Sequence, residues 1–267
     1  FYWELFRISL RGGRLKPLLS AAAITALAAA AIINFSKPEE QPVYPVRTIT
    51  VPEGYNSFQV DKLLFDNRII AEEGSLASLD PGEFGGYWFL EGVDSLEGFL
   101  FPDTYEFYEQ SSPEVVARKF LENWNNKASV LFISRESVMD QLTAASIIER
   151  EIHNNQTERA TVAGIVYKRI REGMPLQMDA TLCYIKDKFG CGRVIPSDKE
   201  ADSLYNTYKN KGLPPGPISN PGLSAIKAAI FPKSSEYWYF ISDPETGKTV
   251  FAKTLDEHTQ NIVKYLR

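Results

Sequence analysis

The chain has 267 residues, 44% of them hydrophobic and 24% charged, enough apolar material for one or two packed domains and too much for wholesale disorder. Its 29 basic and 34 acidic side chains leave a net charge of −5, and beyond residue 35 the balance is 25 against 33, or −8. No dense Lys/Arg cluster follows residue 16, which excludes a nucleic-acid binder that tracks phosphates.

The first element is apolar. Residues 18–35 (LLSAAAITALAAAAIINF) carry no charge, and as a helix they span about 27 Å, close to the thickness of bilayer hydrocarbon. Arg7, Arg11, Arg14 and Lys16 precede the stretch, while Glu39 and Glu40 come after it. By the positive-inside rule residues 1–17 are a cytoplasmic tail, 18–35 a single-pass anchor, and the bulk of the chain lies outside the cytoplasmic membrane. Ala29-Ala30-Ala31 leaves a cleaved signal peptide as the other reading. Residues 36–46, rich in proline, form a tether.

Arg47–Val51 alternates like a strand, Pro52-Glu53-Gly54 turns, and Asn56 with Gln59 makes a capping box for a helix through Leu63, Leu64 and Phe65. Strand, turn and short helix resemble half of a LysM-type module, too small to stand alone, so the unit is expected to dock on the rest of the chain. Residues 72–97 carry no clear periodicity. From Ser134, as N-cap, to about His153, Val138, Leu142, Ala145, Ile148 and Ile152 recur at helical steps. A second helix runs from near Thr157 to Gly173. Pro214–Pro221 (PPGPISNP) is neither helix nor central strand and must be a rigid loop. Glu236–Ser242 and Thr249–Lys253 flank a turn and predict a hairpin. Thr254 with Glu257 caps a final amphipathic helix through Ile262, Val263 and Leu266. Without a βαβ rhythm the class is α+β.

Two places attract chemistry. Glu149 continues the stripe of Leu142, Ala145 and Ile152, whereas Glu151 lies on the neighbouring stripe of Ala144 and Ile148. The two stand about 200° apart around the helix, so one faces a cleft while the other is packed or paired. Spacing alone makes neither catalytic, since paired glutamates near a helix end are usually surface charge. Downstream, Leu176–Thr181, Tyr205–Tyr208 and Gly212–Ile218 mix aromatic, amide and hydroxyl groups with rigid backbone. That mixture suits a saccharide cleft, and equally suits turn-forming loops. Cys183 and Cys191, with His153 and His258 as the only histidines, make no zinc site, and no metal is expected. A disulfide between the two cysteines requires an oxidising compartment, and spacing leaves it open. No Gly-rich phosphate loop, G-x-S-x-G or H-E-x-x-H occurs.

These residues resemble one family. Glu97-Gly-Phe-Leu-Phe-Pro-Asp-Thr-Tyr105 is similar to the E-G-x-x-x-P-D-T-Y signature of the YceG-like (MltG) endolytic murein transglycosylases, and Ala145-Ser-Ile-Ile-Glu-Arg-Glu151 to their A-S-I-[IV]-E-[KR]-E helix. Gly164–Ile170, Met174–Thr181, Tyr205–Tyr208, Gly212–Ile218, Asn220–Gly222 and Ala225–Ala229 come in the family's order, from about residue 95 to the C-terminus. Members commonly carry a longer region before the catalytic domain, and residues 183–200 and Ala180, where proline is usual, depart from the pattern.

The resemblance implies a transmembrane anchor, a LysM-like unit and connector over 47–94, and a mixed α+β catalytic domain over 95–267. It implies cleavage of the β-1,4 bond between N-acetylmuramic acid and N-acetylglucosamine within glycan strands, leaving 1,6-anhydro ends, without a cofactor. The implied acid is Glu151, with Glu149 as the competing assignment. Ile147, Ile148 and Ile152 are expected to lend its cleft apolar character, and Gln177, Asp179, Asn206 and Tyr208 to position substrate. The implied partners are peptidoglycan strands, the cytoplasmic membrane, and peptidoglycan synthases or division and elongation proteins. A non-catalytic wall-binding scaffold and a water-using muramidase are the rival readings.

Overall fold

The structure is a computed structural model that describes residues 44–152, 155–186, 191–192 and 194–266. The expected tail, the anchor and most of the 36–46 tether lie outside the described residues. Within the described residues no helix is long and apolar enough to cross a membrane. From Tyr44 onward the chain forms one compact unit, a mixed α+β fold with seven α-helices and two small sheets among the described residues.

Strand β1 (Val46–Thr50) leads through a turn at Gly54, whose φ of +80° only glycine adopts freely, into helix α1 (Ser57–Asp66). The Asn56–Gln59 capping box forms in both directions. β1 pairs antiparallel with β2 (Thr104–Tyr108), Thr48 opposite Glu106. The N-terminal strand therefore shares a sheet with the end of the Glu97–Tyr105 motif, and both contribute to one core.

Helix α2 (Pro113–Lys127) begins with Pro113 behind a Ser112 cap and buries Val116, Ala117, Phe120, Leu121 and Trp124. Trp124 packs 4.1 Å from Phe89 and 5.2 Å from Phe99, ring centre to ring centre. Large apolar side chains such as these contribute about 1.5–3 kcal/mol each when fully buried.

Helices α3 (Arg135–Glu151), α4 (Gln156–Arg171), α5 (Asp179–Lys186) and α6 (Leu223–Ile230) make the second half of the core. Ser134 stands at the N-cap of α3 but forms no capping bond. A Cβ at Gly164 of α4 would lie 2.0 Å from the Lys233 carbonyl oxygen, so only glycine allows the chain after α6 to cross there. The proline loop is irregular as expected, yet it runs through the interior. Buried Asn220 accepts from the Gly98 and Leu100 amides, both at 2.9 Å, and donates to Tyr55 O at 2.9 Å. Ser146 Oγ accepts from the Ile218 amide at 3.0 Å. Buried irregular backbone needs such partners, and side chains supply them here.

Strands β3 (Tyr239–Ser242) and β4 (Thr249–Ala252) form the expected hairpin, and helix α7 (Leu255–Tyr265), capped by Thr254, packs beside it. Cys183 and Cys191 are joined in a disulfide that ties α5 to the loop beyond it.

Candidate active site

The C-terminal turn of α3 carries both candidate acids, and their surroundings differ. Glu149, only 5% exposed, turns inward. Its Oε1 accepts from Arg159 Nη2 at 2.5 Å and its Oε2 from the Gly222 amide at 3.0 Å. Arg159, also buried, donates through Nε to the Ile152 carbonyl at 3.1 Å. Burial pushes the Glu149 carboxyl up, and the Arg159 charge and the Gly222 amide act against it.

Glu151 lines an open cleft of about 690 Å³ with Arg169, Gln177, Asp179, Tyr208 and Tyr239. The residue keeps some surface in contact with solvent, but its carboxyl is closely surrounded. The carboxyl accepts one weak hydrogen bond among the described residues, from the Ala180 amide at 3.3 Å. Its pKa is raised to about 7: burial raises it most, the Ala180 amide pulls it down, the Asp179 charge raises it, and Arg150 and Arg169 lower it. A carboxyl so placed keeps its proton near neutrality and can give it away, as a general acid must.

The rest of the cleft is built to hold this arrangement. Gln177 adopts φ +53°, a strained conformation for a non-glycine residue, fixed by its amide donating to Thr207 O at 3.0 Å. That bond, and one from the Met178 amide to Thr207 Oγ1 at 3.0 Å, lock the turn onto the Tyr205–Tyr208 loop. Tyr208 donates its hydroxyl to Asp179 Oδ1 at 2.5 Å, and burial first, then Asp179, keeps that phenol protonated. Arg169, buried in turn, bridges the two sides of the cleft: Nε and Nη2 donate to Trp238 O at 3.0 and 2.7 Å, and Nη1 to Leu176 O at 2.6 Å. Ser242 Oγ donates to the Glu151 carbonyl at 3.3 Å, so the hairpin is tied to the helix end as well.

The model of the YceG-like family matches this chain over residues 18–264. The chain belongs to the YceG-like family. It is 36% identical over 236 residues to the endolytic murein transglycosylase of Bacillus subtilis (strain 168), covering 82% of this chain and 65% of that protein. It is 31% identical over 256 residues to the endolytic murein transglycosylase of Streptococcus pneumoniae (strain R6), covering 85% of this chain and 46% of that one. The chain thus spans less than two thirds of the length of these curated relatives. The crystal structure of a YceG-like protein from Listeria monocytogenes superposes with a TM-score of 0.69 at 32% identity, covering 80% of this chain and 74% of the other.

In this YceG-like chain the site expected from sequence is reached only in part. Glu151, Gln177, Asp179 and Tyr208 meet at one cleft. Asn206 does not: it is fully buried, its amide donates to Lys199 O and Ala201 O, and its Oδ1 accepts from the Tyr208 amide. It shapes the loop beneath Tyr208. Ile147, Ile148 and Ile152 are likewise packed in the core, and the apolar lining comes from Met178, Phe240, Ile241 and α7 instead.

Sequence reasoning passed over Arg159 and Arg169. Each sits on the buried stripe of α4, with Val162, Ala163, Ile165 and Val166. An arginine at an apolar-periodic position is the signal that was there to read. Glu97 stands out in the sequence only as part of a motif. It is buried and accepts from the Ser57 amide and hydroxyl and from Asn220, yet burial still pushes it up to about 7. Its place at the start of α1, away from the cleft lining, makes it a structural tie. Among the described residues no group of His, Cys, Asp and Glu could hold a metal ion.

Proposed function

We propose that this chain is a lytic transglycosylase that cuts peptidoglycan strands internally, at the β-1,4 bond between N-acetylmuramic acid and N-acetylglucosamine. The observation that carries the reading is the Glu151 carboxyl, its pKa raised to about 7, lining an open cleft of saccharide dimensions. The names of the relatives from Bacillus subtilis and Streptococcus pneumoniae support the same reaction class.

Protonated Glu151 gives its proton to the glycosidic oxygen as the bond to muramyl C1 breaks. The resulting carboxylate then takes the proton of the muramyl C6 hydroxyl, whose oxygen bonds to C1. One side chain returns to its starting state, and the product ends in 1,6-anhydro-N-acetylmuramic acid. Gln177, Asp179 and Tyr208 hold the sugar, with Tyr208 oriented by Asp179. The uncharged stretch 18–35, with basic residues before it and acidic ones after, supports an anchor in the cytoplasmic membrane with the catalytic domain of residues 95–267 outside. Residues 47–94 then act as a LysM-like unit that shares a sheet and core with that domain, and peptidoglycan synthases or division proteins are its expected neighbours.

Asp179 favours one rival, because a second carboxylate in the cleft is what a water-using muramidase requires. Mass spectrometry of purified glycan strands after incubation with the full chain separates the two. Anhydro termini, absent with Glu151→Gln, are expected. Reducing termini would establish hydrolysis, and no cleavage at all would leave a wall-binding scaffold.

A further inference from the structure

The lining of the cleft is of two kinds. Arg169, Gln177, Asp179 and Tyr208 present charge, amide and hydroxyl. Helix α7 presents Leu255 and Ile262, and its C-cap Leu266, which are 61%, 40% and 48% exposed. Their spacing of seven and four residues puts them on one helical stripe. Between them His258 stacks on Tyr239 at 5.0 Å, and its Nδ1 is buried without a hydrogen-bond partner among the described residues. Burial, then the Arg169 charge, lowers the His258 pKa, so the ring is neutral at pH 7.

From this the geometry points to a subsite on α7 for the peptide-bearing lactyl arm of the muramyl sugar. The inference rests on the proposed reaction and adds a preference for strands that keep their stem peptides. Sugar rings call for aromatic faces and several hydroxyl partners. Three aliphatic side chains and one imidazole nitrogen do not offer these. They suit methyl groups joined by amides, which is the chemistry of a lactyl–alanyl chain. The surface is continuous with the cleft that holds Glu151, and the lactyl ether leaves the muramyl ring only two carbons from C1. A sugar with its C1 beside Glu151 must therefore send that arm over one kind of lining or the other. In the proposed reaction the polar groups hold the ring, which leaves the aliphatic surface for the arm. A free lactyl carboxylate, as on a stripped strand, would instead meet aliphatic surface and gain little there.

The test uses the full chain carrying Glu151→Gln, so that binding is read without turnover. Calorimetry compares muramyl dipeptide with N-acetylmuramic acid. The expected result is at least tenfold tighter binding of the dipeptide, the range a single apolar contact supplies. Adding Leu255→Asp and Ile262→Asp, both at exposed positions, should bring the two Kd values together while the thermal midpoint holds. Equal affinities before those substitutions overturn the subsite, as does a preference that survives them. A second copy of the chain lying on α7 would cover the stripe and give the first of these outcomes. A parallel comparison on the active chain measures kcat/KM for intact strands and for strands stripped by an amidase. No cleavage of either strand rejects the proposed reaction and leaves the binding result to stand by itself.

Discussion

One residue separates Glu149 from Glu151, and the two ends of that step behave as different materials. Around Glu149 a guanidinium, a glycine amide and the close-packed proline loop supply partners from α4 and from residue 222. Around Glu151 a single long bond from Ala180 is the only hydrogen bond to the carboxyl among the described residues, and the cleft opens beyond it. Burial pushes both carboxyls up, but of the two Glu149 is the one met by an opposite charge at bonding distance. A carboxyl held by fixed donors has its lone pairs committed and serves as an anchor. A carboxyl with the desolvation and without the partners is ready to exchange a proton. The anchor also serves the proposed acid. Arg159 grips Glu149 on one side of Glu151 and the Ile152 carbonyl on the other, which fixes the helix end between them.

The largest effect should come from Glu151→Gln. Losing a general acid costs about 10²–10⁴-fold in kcat, read as release of soluble glycan fragments. The same substitution should stabilise the fold. Because the folded pKa is about 7, against an ordinary 4.5, the folded protein holds this proton more tightly than the unfolded chain does. The stability tied to that proton is whole below about 4.5, falls as pH rises, and is gone above about 7. Glutamine escapes that loss, so thermal melts at pH 8 should favour the variant by on the order of 1–3 kcal/mol, and melts at pH 4 should not. A folded Glu151→Gln protein with full activity would end the contrast between the two glutamates.

Glu149→Gln should act on stability first. It leaves the Arg159 guanidinium buried opposite a neutral amide, and breaking a buried ion pair in this way costs about 3–5 kcal/mol. Urea or thermal unfolding measures the loss, and Arg159→Met in the same background should recover part of it by removing a buried charge left with only half-exposed Glu53, at 3.9 Å. The fraction that remains folded should keep the pH profile of the parent. If folded Glu149→Gln has lost its alkaline limb, the roles of anchor and acid have been assigned the wrong way round.

How much of this was legible depended on whether partners were local. The Asn56–Gln59 and Thr254–Glu257 caps, the turn at 243–248 and the stripe of α3 all rest on residues within one or two turns of each other, and each formed near its expected bounds. The wheel also placed Glu149 and Glu151 on different faces. It could not say which face was anchored, because Arg159 and Gly222 come from other elements. Asn206 misled for the same reason: its amide meets the carbonyls of residues 199 and 201 rather than a ligand, and residue type alone does not distinguish the two. Helix α5 was hidden because it is eight residues long and opens inside a polar cluster at Asp179. The burial of the proline loop could not be read either, since it depends on Asn220 and Ser146 meeting backbone far away in sequence.

The smallest expected effects are on the pH profile, and they test whether the cleft tunes its acid through charge. Asp179 and Arg169 flank Glu151 with opposite signs, the first raising its pKa and the second lowering it. Activity that needs protonated Glu151 declines as pH rises through about 7, which makes that decline the alkaline limb. Asp179→Asn removes a negative neighbour, so the proton leaves more easily and the limb should move to lower pH. Arg169→Gln removes a positive neighbour and should move it to higher pH. Each shift should be a fraction of a pH unit, since both charges act less on Glu151 than burial does, and exposed Asp179 is screened as well. Arg169→Gln should also raise KM, because the Trp238 and Leu176 carbonyls lose the guanidinium that joins them. Arg169→Lys separates the two effects: it keeps the charge and hence the limb, but cannot span both carbonyls, so KM alone should change. Limbs that move the same way in the aspartate and arginine variants would mean that Glu151 does not set the profile, and that burial alone, without its charged neighbours, does not make it the acid.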